Sequence, residues 1–205
     1  MIFLGSASPR RAELLAQIGL AYQVLVADID ETPRLAEPAE IYVLRMALEK
    51  AEAVLLQLQN GYPALPVLAA DTSVVVDGEI LGKPCDQAEA MAMLARLSGR
   101  THMVLTAVAL IESGAEGRRA SRLSVNKVRF RAISEAERLA YWQSGEPQDK
   151  AGAYAIQGRA AVFIEHLEGS FSGVMGLPLF ETAELLAEFG INVCDSWGEW
   201  ARADN

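Results

Sequence analysis

The sequence predicts a mixed α/β fold, a twisted sheet with flanking helices, and three observations carry that expectation. The chain opens with apolar "IFLGS" and "YQVLVADID" on either side of a short amphipathic helix, the pattern of a parallel βαβ start. An Asp-Gly pair at 77 and 78 lies between two apolar runs, a strong signal for a two-residue hairpin. Two long extended segments, "THMVLTAVALIES" and "SRLSVNKVRFRAIS", flank a Gly-rich polar turn and read as a second, longer hairpin.

Each element follows from local grammar. In "LGSASPRRAEL", Ser8 suits an N-cap and Pro9 the first helical position. Leu14, Leu15 and Ile18 then recur at helical spacing, and Gly19 ends the helix. Arg10 and Arg11 therefore occupy N2 and N3, where the macrodipole is already positive. Two cations beside unpaired N–H groups fit a bound anion; the alternative is that both curl out into water. From Pro38 to about Leu58 runs a long helix with Ile41, Leu44, Leu48, Ala51, Leu55 and Leu58 near one face, broken by "NGYPALP". "VLAADTSVVVDGEILGKP" follows, then a helix over roughly Asp86 to Leu97 and the long hairpin. Helices near Ser134 to Gln143 and Pro178 to Phe189 bracket a last strand, "AAVFIEHLE".

At 205 residues and 51% hydrophobic content, the chain can bury one full core, and a single domain over 1–205 with two lobes is expected. A net charge of −9 and a pI near 4.8 argue against a nucleic-acid or anionic-membrane surface, though not against a small anionic ligand held by a few local cations. The N-terminus lacks the charge order of a secretory signal, and no apolar run approaches the roughly 20 residues of a membrane span. A cytoplasmic protein is expected, with Cys85 and Cys194 as free thiols and no zinc spacing.

Several stretches have residues suited to chemistry. Extending the Asp77-Gly78 hairpin register pairs Val76 with Glu79 and, further out, Thr72 with Lys83. Asp71, Thr72 and Lys83 would then share its open end, as a metal-and-phosphate site or as an ordinary surface pair. "ADIDET" supplies Asp28, Asp30 and Glu31, hard oxygen donors of the kind Mg²⁺ or Mn²⁺ takes, or a solvated strand end. Lys50 lies one helical step from core-facing positions, to reach into a cleft or to snorkel. In "QDKAGAYAIQG" the small residues permit close backbone approach to a ligand, and the Gln157 amide can read a base edge as donor and acceptor. "SGVMGLP" is a second small-residue loop at a helix start. Phosphate-loop, dinucleotide and nucleophile-elbow motifs are absent, and His102 and His166 read as structural.

Together "SASPRR", "DIDET", "LEKA", "AADT", "GKP", "LSGRTH", "DKAGAYAIQG" and "GLPL", in this order from residue 4 to about 180, resemble the Maf family of nucleoside triphosphate pyrophosphatases. The resemblance implies a fold similar to inosine triphosphate pyrophosphatases, with two lobes around a cleft, commonly as a homodimer. It places Ser6, Arg11, Glu31, Lys50, Asp71 and Lys83 in the active site, with Asp71 as proton acceptor. A divalent cation, Mg²⁺ or Mn²⁺ with Co²⁺ as an alternative, is expected on Glu31, with Asp71 as the candidate second ligand. Arg10, Thr72 and Gln157 resemble the branch acting on dTTP and UTP; the branch acting on 7-methyl-GTP carries Trp, Gln and Glu at those positions. The expected partner is thus a nucleoside triphosphate, with neither nucleic acid nor membrane. A nucleotide-sensing regulator of cell division and a 7-methyl-GTP pyrophosphatase are the competing readings.

Overall fold

The expected βαβ start is present. In the computed structural model, which describes residues 1–58, 65–112 and 117–197, β1 (Ile2–Leu4) leads through α1 (Pro9–Gln17) to β2 (Tyr22–Val24). The two strands pair in parallel, with Ile2 opposite Tyr22 and Leu4 opposite Val24. β2 is much shorter than "YQVLVADID" predicts, and beyond Val24 the backbone bond from Leu25 N to Leu4 O, 3.0 Å, still ties the chain to β1.

The order continues with α2 (Ala39–Gln57), β3 (Val67–Val76), β4 (Glu79–Leu81), α3 (Gln87–Leu97), β5 (Thr101–Ile111), β6 (Arg119–Phe130), α4 (Glu135–Gln143), β7 (Ile164–Glu168), α5 (Phe171–Met175) and α6 (Leu179–Glu188). The strands form one seven-stranded sheet in the order β2-β1-β3-β5-β6-β7, with β4 on β3. Parallel β1–β3 and antiparallel β3–β4 and β6–β7 pairs make it mixed. Nine of the ten residues of β3 are buried, as suits a continuous apolar run covered on both faces.

The Asp-Gly hairpin forms as predicted. Asp77 and Gly78 both take positive φ, 55° and 78°, as a type I′ turn requires, and Val76 faces Glu79. The ladder ends at Val74 opposite Leu81, so pairing stops two residues short of Lys83.

Helix starts are legible, helix faces less so. Asp86 caps α3 by accepting from Glu89 N, and Ser134 forms a capping box with Glu137 on α4. In α2 the buried stripe is Ala39, Tyr42, Val43, Met46, Ala47, Ala51 and Val54, while Ile41 is 54% exposed. Of the predicted face Ala51 and Leu58 are buried and Leu44, Leu48 and Leu55 half-buried: the helix is apolar over several adjacent rows, and the seam is turned toward Val43, Met46, Ala47 and Val54. The expected strand "AAVFIEHLE" begins only at Ile164, because Arg159–Phe163 forms a 3₁₀ turn. Of the predicted break at 60–66, residues 60–64 lie outside the described residues, as do residues 114–116 of the predicted polar turn at 114–120.

The chain divides into two compact units: 1–71, 107–123 and 176 onward, and 72–106 with 124–175. The second has its own core, in which Phe130, Tyr154 and Phe163 meet edge-to-face amid Leu94, Leu97, Val104 and Val128.

Candidate active site

In the first unit, β1 delivers the chain to Gly5, whose N–H donates to Leu68 O at 2.7 Å. A Cβ there would stand 3.3 Å from both Ala69 and Val54 side-chain carbons, tighter than most such contacts. This close approach seats buried Ser6 just before α1. Ser6 Oγ accepts from Ser8 N at 3.2 Å and from the Arg11 guanidinium at 3.1 Å, while Arg11 Nε donates to Gly176 O at 2.8 Å. Arg11 thus lies over the start of the helix and not out in water. Burial lowers its pKa from the ordinary arginine value, opposed by the charge of Asp71. No acidic residue shares that first turn. Ser8 occupies the N-cap position as predicted, but its side chain makes no capping bond. Arg10 is half-buried at N2.

Glu31, Lys50 and Asp71 converge. Lys50 Nζ reaches Glu31 Oε1 at 2.8 Å and Asp71 Oδ1 at 2.7 Å; Lys50 and Asp71 side chains are 15% and 10% exposed, Glu31 52%. Lys50 reaches this point because it lies beside the buried stripe of α2, between Met46 and Val54. Glu31 is held by the backbone around it. Tyr42 Oη donates to Glu31 O at 2.8 Å, Thr32 N to Asp30 Oδ1 at 2.9 Å, and Arg45 to Thr32 O at 3.3 Å. Arg45 in turn makes a two-pronged pair with Glu37, each contact 2.6 Å. Burial, then the nearby charges of Asp71 and Glu31, push the Tyr42 hydroxyl up to about 12.

Two carboxylates meeting on one ammonium supply hard oxygen donors at a common point. Among the described residues no group of three or more His, Cys, Asp and Glu forms a cage. That donor set fits a Mg²⁺-type ion completed by substrate phosphate and water.

The second unit holds Thr72, Lys83 and Gln157. Thr72 Oγ1 lies 3.0 Å from Thr106 Oγ1, and Thr106 donates to Gly173 O at 2.7 Å. Buried Asn126 donates to Val104 O at 3.1 Å and accepts from Ser170 N at 2.6 Å, fastening the "GSFSGVM" segment beside Thr106. Lys83 is exposed just after β4, and Gly152 N donates to neighbouring Gly82 O at 3.0 Å. Gln157 is exposed on a short turn.

Two glycines of "DKAGAYAIQG" are also required by the protein's own packing. A Cβ on Gly152, at φ +66°, would strike Val74 at 2.8 Å, and one on Gly158 would strike the Glu146 carboxylate at 2.4 Å. His102 is structural as predicted, with Nε2 at 2.8 Å from Tyr154 Oη in the core. His166 lies in β7 opposite Arg129. The supporting residues Tyr42, Arg45 and Thr106 sit in no motif and carry no signal in the sequence.

A family model described as Maf-like protein matches residues 1–189. The chain belongs to the Maf family. It is 55% identical over 198 residues to a dTTP/UTP pyrophosphatase of Alkalilimnicola ehrlichii, covering 96% of each chain. A dTTP/UTP pyrophosphatase of Aromatoleum aromaticum is 53% identical, over 92% of this Maf chain and 95% of the relative. Among solved structures, a HAM1 protein from Coxiella burnetii is 19% identical with a TM-score of 0.46, covering 91% and 98%.

Proposed function

We propose that this Maf protein hydrolyses dTTP and UTP to the nucleoside monophosphate and pyrophosphate. Its relatives at 51–55% identity carry the name dTTP/UTP pyrophosphatase over nearly the whole chain, and Arg10, Thr72 and Gln157 follow that branch. The observation that carries the chemistry is the meeting of Glu31 and Asp71 on Lys50.

Attack of water on the α-phosphorus breaks the bond to the α–β bridging oxygen, and the proton of the water passes to a carboxylate. Asp71, buried and fixed through Lys50, has the role of positioning and deprotonating that water. Glu31 and Asp71 would hold a divalent cation, which supplies neutralisation of the phosphate charge. Arg11, kept over the N-terminus of α1 by Ser6 and Gly176 O, binds phosphate where the helix already favours anions. Lys50 and Lys83 add positive charge, so most of the acceleration comes from alignment and charge stabilisation. Arg10, Thr72 and Gln157 select the pyrimidine. A cytoplasmic homodimer is part of the same reading; among the described residues no helix is long and apolar enough to cross a membrane.

The test is pyrophosphate release from dTTP, UTP, CTP, GTP and 7-methyl-GTP, with Mg²⁺ and with Mn²⁺, for wild type and Asp71→Asn. Release from dTTP and UTP, reduced roughly 10²–10⁴-fold in a folded Asp71→Asn, is the expected result. Preference for 7-methyl-GTP overturns the branch assignment, and saturable binding without turnover overturns the enzyme in favour of a sensor.

A further inference from the structure

We propose that Glu146, with Tyr141, is a positioning pair that fixes the turn presenting Gln157, and through it the base preference. This rests on the pyrimidine-nucleotide reading above.

Tyr141 projects from α4, and its hydroxyl donates to Glu146 Oε1 at 2.6 Å while accepting from Ala155 N at 3.2 Å. The Glu146 carboxylate also accepts from Arg159 N at 3.0 Å and from Ala160 N at 3.4 Å. The pair therefore grips the backbone two residues before Gln157 and two and three residues after it. Gly158 N donates to Ala155 O at 3.1 Å and closes the turn. Tyr154, Ile156 and Ala160 are buried on either side, so Gln157 is exposed, as is Arg159, on a turn whose flanks are anchored in the core. Glycine at 158 belongs to the same device, since any Cβ would occupy the space of the carboxylate.

A carboxylate is the group this position needs. Burial raises the Glu146 pKa, yet the N–H groups of Arg159 and Ala160 and the Tyr141 hydroxyl outweigh it and bring the net value below the ordinary one. Three donors converge on two oxygens, and glutamine would set its own NH₂ against one of them. Glu146 acts through Gln157 and not on a reacting atom. Its effect is to pre-order Gln157, so that recognition of the base does not include the cost of freezing the turn.

The experiment measures kcat and KM for dTTP and GTP in wild type, Glu146→Gln and Tyr141→Phe, with melting curves showing each variant folded at the assay temperature. Glu146→Gln is expected to raise the dTTP KM about tenfold with kcat within about twofold, narrowing the dTTP over GTP ratio of kcat/KM. Tyr141→Phe, which keeps the ring in the core, shifts the same way by less and carries the test should Glu146→Gln fail to fold. An unchanged ratio, or an equal fall in kcat on both nucleotides, overturns the positioning role while leaving the proposed function standing. A wild type without dTTP turnover overturns the proposed function and this inference with it.

Discussion

In the first unit, an ammonium 15% exposed meets one carboxylate 10% exposed and a second one beside it; in the other unit, Thr72 lies against a hydroxyl and Gln157 rides on a turn gripped through backbone N–H groups. These arrangements respond differently to damage. Removing one partner of a buried ion pair leaves a charge without compensation, at a cost of roughly 3–5 kcal/mol. Removing one member of a neutral hydrogen bond, such as that between Thr72 and Thr106, costs about 1–3 kcal/mol, even when a buried partner is left unsatisfied. The first region thus suits a task in which charge must be matched, such as phosphate and metal, and the second a task in which donors and acceptors must be aimed.

The largest expected effect breaks the charged side of that contrast. Lys50→Met should lower kcat/KM for dTTP by roughly 10²–10³-fold and stability by about 3 kcal/mol, because Asp71 keeps its burial and loses its cation. Combining it with Asp71→Asn removes the stranded charge. The double variant should therefore regain most of the stability in denaturant melts while turnover stays lost. Additive losses in stability would show that the two side chains are not coupled as the 2.7 Å contact implies.

A second prediction concerns the uncharged interior of the other unit. His102, 2% exposed beside Tyr154 and Phe130, has its pKa lowered by burial from 6.5 to about 4. A histidine that folds neutral contributes stability that is full above its unfolded pKa and is lost as pH falls through the folded one. The window is therefore about pH 6.5 down to 4, and the total is about 3 kcal/mol. Glu37 and Glu137, lowered to about 2 by hydrogen bonds from Arg45 and Arg131, lose theirs at more acid pH, below the ordinary glutamate range. Urea melts at pH 7, 6, 5 and 4.5 should show the fall in wild type and a flatter profile in His102→Gln. Equal slopes would remove His102 as the cause.

The third prediction exchanges the aimed groups. Thr72→Gln with Gln157→Glu should lower kcat/KM for dTTP by roughly 10–100-fold, with the melting midpoint within a few degrees of wild type. An unchanged base preference would place discrimination elsewhere than on these two residues.

What the sequence revealed follows the same division. Arg11 at N3 after Ser8 and Pro9, the Asp77-Gly78 turn and the capping residues Asp86 and Ser134 are local signals, and the structure has each where local physics puts it. A charged residue in apolar surroundings, Asp71 in "LAADTSVVV", also stands out, whereas Lys50 in "ALEKAEA" sits between Glu49 and Glu52 and reads equally as a snorkelling lysine. The supports of the site do not. Tyr42 looks like one more apolar residue of α2, Thr106 like one strand residue among many, and Glu146 in "SGEPQD" like part of a solvated turn. Their partners are 11, 34 and 13 or 14 positions away, distances at which no periodicity or turn rule operates. The seam of α2 keeps Ala51 and Leu58 of the expected row and otherwise turns away from it, because which apolar row becomes the seam is decided by what packs on it, and that information lies in other elements.

The smallest effect sharpens the neutral side. Thr106 is fully buried and has one hydroxyl proton for two neighbours, Gly173 O at 2.7 Å and Thr72 Oγ1 at 3.0 Å. Because a carbonyl can only accept, the shorter contact commits the Thr106 proton to Gly173, and the Thr72 hydroxyl is oriented by what remains. Thr106→Val keeps the shape and removes this link. It should cost about 1–2 kcal/mol, since Gly173 O loses its donor, and should change the dTTP over GTP ratio of kcat/KM a few-fold. Thr106→Ser keeps the hydroxyl and should restore the ratio even if the lost methyl costs some stability. A ratio that follows stability in both variants would mean that Thr106 only fills space. A ratio restored by serine alone would mean that the hydroxyl orients Thr72, a role the ion pairs of the first unit could not fill, since a charge attracts from many directions and a single proton points in one.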